Sequence, residues 1–455
     1  MDTTPTTPQD GSPQSTGLTH KSLTATILAI AIPSLAALVA EPLFILVDTA
    51  IVGRLGTSEL AGLALASTVL TTTVGLCIFL AYATTATVAR HLGAGRRTTA
   101  LSAGIDGLWL AATLGALLTL TLILTAPQLL TILGAHGDVL THATTYLRWS
   151  APGLPGMLIV MAATGVLRGF QNATTPMWVA GAGAALNAAL SFTLVWILGM
   201  GIAGSGLGTA ITQILMAIAL TIPVATLARR HNAALRPGTT GILHSLASGA
   251  PLFLRTLSLR AAIILTIITA TSLGTVPLAG HQVINSLWGF AAFALDALAI
   301  AAQTLIGHHL GAADRTGTRH ILRVTLWWGT LSGAVIGALI ILIAYTAAPL
   351  FTPDPTVQHA IQLAAIVAGI TMPITGWVCV LDGVLIGAGD GRYLAGVGLI
   401  NLAMYTPAVL TVYHLAPHGP TGLLWLWVAF AGVFMGVRAL TTGWRIRTQA
   451  WMRIG

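Results

Sequence analysis

Charge is what this sequence has least of: Asp, Glu, Lys and Arg make up only 7% of its 455 residues. A water-soluble chain of this length needs far more than that to cover its surface, so the soluble classes are excluded. Cysteine is scarce too. Cys77 and Cys379 both lie in apolar runs, which excludes a disulfide framework or a cysteine metal set and leaves two small packing residues. The short alternating strands of a membrane barrel are missing. No Walker Lys-Ser/Thr follows the Gly-rich turn at 92–97, so no ATPase is expected. The 13 histidines are scattered without metal-ligand spacing. No nucleophile–base–orienter set stands out either, so the chain is read as neither an enzyme nor a cofactor carrier.

What is present is hydrocarbon. Hydrophobic residues make up 55% of the chain and the mean hydropathy is +0.86. Apolar runs long enough to cross a bilayer recur throughout, and a helix is the spanning form left once the barrel is excluded. The fold class expected is an all-α membrane protein with twelve transmembrane helices, near 23–51, 60–91, 98–126, 139–169, 174–200, 204–228, 243–272, 278–309, 317–346, 356–388, 392–415 and 420–441. Residues 1–20 are rich in Thr, Pro, Ser and Gln and read as a disordered tail. If the spans alternate, Arg96, Arg97, Arg229, Arg230, Arg315, Arg438 and Arg445 fall on one side. The positive-inside rule then makes the protein multi-pass in a plasma (inner) membrane with both termini cytoplasmic. The net charge of +8 is read as that loop bias and not as a nucleic-acid surface.

The two halves share one register. At an offset of 218 residues, Pro33 meets Pro251, Leu92-Gly93-Ala94 meets Leu310-Gly311-Ala312, Pro155 meets Pro373 and Gly204 meets Gly422. Such agreement over a long stretch marks a duplication. An even number of spans per copy makes the copies parallel repeats. The organisation expected is a lobe over 21–228, a linker over 229–242, a second lobe over 243–441 and a tail over 442–455. Two such lobes around a cleft suit alternating access.

The ionisable residues inside the spans do not obey the repeat. Glu41, Asp48, Asp106, Asp296 and Asp382 all meet non-acids at the offset. An Asp at the centre of a membrane helix costs about 2.5–3.5 kcal/mol on insertion scales, so an intramembrane acid is a functional candidate. Glu41 and Asp48 are separated by two helical turns and share a face. Asp48 is read as a proton or sodium site, with Asn187 of the same lobe as hydrogen-bond partner or sodium ligand. Burial disfavours a charged carboxyl, which makes proton loading near neutral pH possible. Glu41 is either a second proton site or a rim residue that meets cationic substrate. Asp106, near Arg96 and Arg97, is read as a snorkelling surface acid. In the second half, Arg255 is expected to pair with Asp382 or Asp296, as a pair that rearranges or as a permanent structural one.

The run Glu41-Pro42 through Asp48-Thr49-Ala50-Ile51-Val52-Gly53-Arg54-Leu55-Gly56 resembles the first-helix signature of MATE (multidrug and toxic compound extrusion) transporters of the DinF-like branch. Leu254-Arg255-Thr256, Ala294-Leu295-Asp296-Ala297-Leu298-Ala299 and Leu381-Asp382-Gly383-Val384 resemble its seventh, eighth and tenth helices. The resemblance implies a V-shaped pair of six-helix lobes. It also implies an antiporter that exports cationic or amphipathic small molecules in exchange for protons or sodium, as a monomer. By the same match Asp48 is the coupling acid, with Asn187 beside it and Arg255, Asp296, Asp382 and Gln303 in a second-lobe polar network. Ser191 and Gln303 stand where family members often carry acids. Fewer carboxylates favour protons over sodium. A flippase for a lipid-linked precursor and a major-facilitator transporter are the alternatives.

Overall fold

The computed structural model describes residues 20–454. The tail expected over 1–20 lies almost wholly outside the described residues. Among these, regular structure is helical throughout. Twelve helices are long and apolar enough to span: α1 Ser22–Val52, α2 Thr57–Gly93, α3 Arg97–Ile132, α4 Gly137–Gly169, α5 Thr174–Ile197, α6 Ile202–Arg230, α7 Thr240–Ser272, α8 Thr275–Gly311, α9 Arg315–Thr346, α10 Pro355–Gly387, α11 Gly391–Leu415 and α12 Pro420–Arg447. The chain is therefore a multi-pass membrane protein of twelve helices.

Two boundaries differ from the sequence expectation. The helix α3 continues through Pro127 to Ile132 instead of stopping at 126. A proline removes one backbone donor, a modest loss close to a helix end, where water is near. The last helix runs on to Arg447, and the segment beyond it is no free tail, because Trp451 is buried in the core.

Hydroxyls survive inside these helices by turning back on the carbonyl four residues earlier, as Thr85 does on Ala81, Thr256 on Leu252 and Thr325 on Ile321. Helix pairs close on small residues, since two apolar helices in lipid gain mainly from close packing. Gly329, Gly333 and Gly337 form a stripe on α9 that meets the α10 backbone at Gly376, Met372 and Gly369.

The lobes have separate cores at one end of the bundle and a common core at the other. Val52, Leu63, Leu130 and Leu147 belong to a cluster confined to the first half. Ile284, Trp288, Tyr405 and Trp427 belong to one confined to the second. The third cluster takes residues from both, among them Leu23, Ile27, Val88, Leu167, Leu305, Leu385 and Trp451. It lies at the end where α1 begins and α12 finishes, called here the termini end. The helices α1 and α7 tie the lobes together there. The first half of α1 packs on α8 and α9, with Trp328 Nε1 donating to Thr24 Oγ1 at 3.4 Å, and its second half packs on α5. The helix α7 packs on α2 and α3 in its first half, as where Phe79 meets Phe253, and on α11 from Pro251 onward, where Gly391 meets Leu252 and where Thr266 and Tyr405 share a 2.7 Å hydrogen bond. Pro33 and Pro251, equivalent by the 218-residue offset, lie inside these two helices.

The seam itself is reciprocal. A Cβ added at Gly93 would overlap His308 O, and one added at Gly311 would overlap Arg90 O. Each of these contacts is the other shifted by 218 residues. Arg90 reinforces the seam by donating to Ala388 O at 2.7 Å and Arg453 O at 3.0 Å.

Candidate functional site

Above the seam, on the wall of the first lobe, lies a cavity of about 240 Å³. Glu41 and Asp48 of α1 line it, as the two-turn spacing predicts, together with residues of α2, α4, α5 and α6 and with Asp296 and Ile300 of α8. The lining is largely aliphatic, with Met157, Met161, Met216 and Phe44 among it. Methionine and aromatic side chains suit ligands of varied shape.

Asp48 is 5% exposed and accepts from four neutral donors. Ser191 Oγ and Asn187 Nδ2 donate to its Oδ1 at 2.9 and 3.2 Å. Thr209 Oγ1 and Tyr146 OH donate to its Oδ2 at 3.1 and 3.4 Å. Asn187 and Ser191 are one helical turn apart on α5, so they reach the carboxylate together. Directly after them the helix widens into a π turn over Thr193–Ile197, a feature frequent at functional sites. Of the four partners, Asn187 is the one expected from sequence. The residue noted as a departure, Ser191, makes the shortest of the four bonds. Tyr146 and Thr209 are neutral residues on two other helices, and nothing in the sequence marked them.

The group can hold a small monovalent cation. One carboxylate, an amide oxygen and three hydroxyls offer oxygen ligands with a single formal charge. Among the described residues no cluster of three or more His, Cys, Asp or Glu could hold a metal ion. A proton fits the same set. Once Asp48 carries it, the hydroxyls can reverse and accept, and Thr209 already lies 3.4 Å from Asn187 Oδ1.

The second-lobe residues do not form the single network expected. Asp382, 5% exposed, joins two guanidinium groups: Arg255 at 2.5 Å, and Arg438. Arg438 was read as one of the loop-side arginines. The structure instead buries it on α12, with its guanidinium over the Phe434 ring, just after a π turn at Val428–Phe434. Arg255 therefore pairs with Asp382 and not with Asp296. Asp296 makes no hydrogen bond or ion pair among the described residues. The charges that act on it are Arg255, Asp382 and Arg438. Gln303 is no member of this network; its amide donates to Tyr82 O across the seam at 2.8 Å. Its side chain points at the other lobe, which spacing along α8 alone does not reveal.

Asp106 is also not a free surface acid. It accepts from Gly238 N at 3.1 Å, at the start of α7, so it caps that helix from α3. Thr98 and Trp109 donate to His231 O and Leu235 O. Three residues on one face of α3 thus hold the linker. Glu41 is exposed within the cavity and feels the charge of Arg260, which reaches α2 at Gly75.

Comparison with known proteins agrees with this architecture. The family model described as MatE matches residues 33–193 and 251–408, one stretch in each half. The chain is 30% identical to Protein DETOXIFICATION 44, chloroplastic, of Arabidopsis thaliana over 437 residues, 93% of this chain and 82% of that protein. It is 28% identical to DNA damage-inducible protein F of Escherichia coli over 429 residues, 91% of each. In structure it is similar to a mutant of the Vibrio cholerae MATE transporter VcmN, with a TM-score of 0.84, 22% identity, and coverage of 95% of this chain and 99% of that one.

Proposed function

The chain belongs to the MATE family, and from that membership we propose that it is a cation-coupled antiporter that exports cationic or amphipathic small molecules by alternating access. The single observation that carries this reading is Asp48, an intramembrane carboxylate on the wall of a ligand-sized cavity, held by four uncharged donors. Such a group can change its charge without breaking an ion pair. The coupling cation is a proton in this reading, with sodium as the other fit to the same oxygens. The seamed end is the cytoplasmic end, following the arginine bias, so the cavity faces outward in this conformation. Substrate would leave, and the cation would load, from that side. The protein works as a monomer in the plasma membrane.

Family membership removes the major-facilitator reading. A flippase for a lipid-linked pyrophosphate would need several cations in its cleft, and Arg168 is the one basic residue lining this cavity among the described residues. The experiment is reconstitution in liposomes with an imposed pH or sodium gradient and ethidium as reporter. Wild type should move the dye under one of the gradients, and Asp48→Asn should lower the driven rate at least tenfold. Equal driven rates in the two proteins would remove Asp48 from coupling.

A further inference from the structure

Arg168 lies in the last turn of α4 and lines the termini end of the cavity. It is 6% exposed, and its Nε has no hydrogen-bond partner. Among the described residues its guanidinium forms neither a hydrogen bond nor an ion pair, and Tyr82 is the titratable neighbour that acts on it. Nothing else about the site explains a desolvated cation with five donors. The carbonyl end of α4 offers it a favourable dipole, yet no carbonyl accepts from it. None of the acids of the cavity pairs with it. Asp48 is bound by its four donors, Glu41 feels Arg260, and Asp296 lies in the field of Arg255 and Arg438. No acid of the cavity therefore lies within ion-pair distance of Arg168, and its guanidinium is left open toward the cavity.

We infer that Arg168 anchors an anionic group, a carboxylate or its equivalent, carried by the transported compound, so that the cavity selects zwitterionic amphipaths whose cationic end lies toward Glu41 and Asp48. The inference rests on the reading of this cavity as the transport site. A guanidinium suits the role because its planar fork can donate two parallel hydrogen bonds to a carboxylate. The two ends of the ligand then meet opposite charges at opposite ends of one cavity, and the aliphatic wall between them takes the apolar body.

The test uses two dyes with one aromatic core: tetramethylrhodamine, with a free carboxylate, and its ethyl ester, which is a plain cation. Binding is followed by fluorescence anisotropy on the purified full chain in nanodiscs. Wild type should bind the acid at least tenfold more tightly than the ester. Arg168→Gln should abolish that preference by weakening the acid alone, and Arg168→Lys should keep part of it. Equal affinity of wild type for both dyes overturns the inference without any variant. Equal weakening of both dyes in Arg168→Gln also overturns it, since that is the mark of a structural residue. Ester binding that depends on chloride in wild type but not in Arg168→Gln assigns the site to an inorganic anion and overturns the substrate-borne reading. These readouts need no gradient, so they can fail while gradient-driven ethidium flux succeeds, and the reverse.

Discussion

Asp48 and Asp382 are both carboxylates buried within the bundle, yet their partners make them opposites. Asp48 accepts from one amide and three hydroxyls, so the site stays neutral apart from its own charge. Asp382 stands between two full positive charges, Arg255 and Arg438. Removing the second carboxylate leaves two desolvated guanidiniums facing each other, a loss of about 3–5 kcal/mol when a buried pair is broken. Asp382→Asn should therefore lower the thermal unfolding temperature in detergent sharply, and adding Arg438→Met should restore part of it. Asp48→Asn should unfold close to wild type while losing coupling. If the two Asn variants melt alike, the division of labour between the lobes is wrong. Half of this contrast was legible in the sequence. Asp48, Asn187 and an acid partner for Arg255, at Asp382 or Asp296, can be read from acids and amides placed in apolar runs. Arg438 cannot, because an arginine near a span end is what the positive-inside rule expects there. Tyr146 and Thr209 are invisible for a plainer reason: neutral residues on separate helices carry no insertion penalty to draw notice.

Among the elements, the helix ends at Gly93 and Gly311 bring the two lobes into backbone contact at the closed side of the bundle. Each lets a backbone carbonyl of the opposite lobe into the space a side chain would fill. A methyl group at either position forces the lobes apart locally, and nothing flexible on the other side can give way, since the obstacle is main chain. Gly93→Ala and Gly311→Ala should each weaken the seam, and the double variant should weaken it more than either. The measurement is labelling of a cysteine placed at Thr164, on the cavity wall, by a membrane-impermeant maleimide from the termini side, with Cys77 and Cys379 replaced. Labelling should rise several-fold and gradient-driven export should fall by a similar factor. Unchanged labelling in the double variant would show that the seam does not depend on this contact. The glycines themselves were readable as a repeated Leu-Gly-Ala turn. That the two copies touch each other was not, because a repeat gives the equivalence of two positions and says nothing of the distance between them.

At the scale of the whole molecule, the three larger cores among the described residues describe one conformation of a two-lobed bundle. Each lobe keeps a core of its own at the end away from the termini, while the common core at the termini end takes residues from both. The sequence makes the duplication plain through its constant offset, but not which end is shut. Parallel repeats around one axis can meet at either end. What the structure adds is a place where the proposed rocking can be tested. A Cβ built at Gly307 of α8 lies 3.1 Å from Ala89 Cβ of α2. Disulfide-linked Cβ atoms lie roughly 3.5–4.5 Å apart, so a cysteine pair at 89 and 307 needs only a small adjustment to bridge. In a background without Cys77 and Cys379, oxidation of Ala89→Cys/Gly307→Cys should fix the lobes in the conformation described here. Gradient-driven export should then fall to the level of empty liposomes and return on reduction, while dye binding from the outer side persists. Export at an undiminished rate in the cross-linked protein would mean that substrate passes without the lobes separating at the seam, and the two-lobe exchange would have to give way to movement within the first lobe alone.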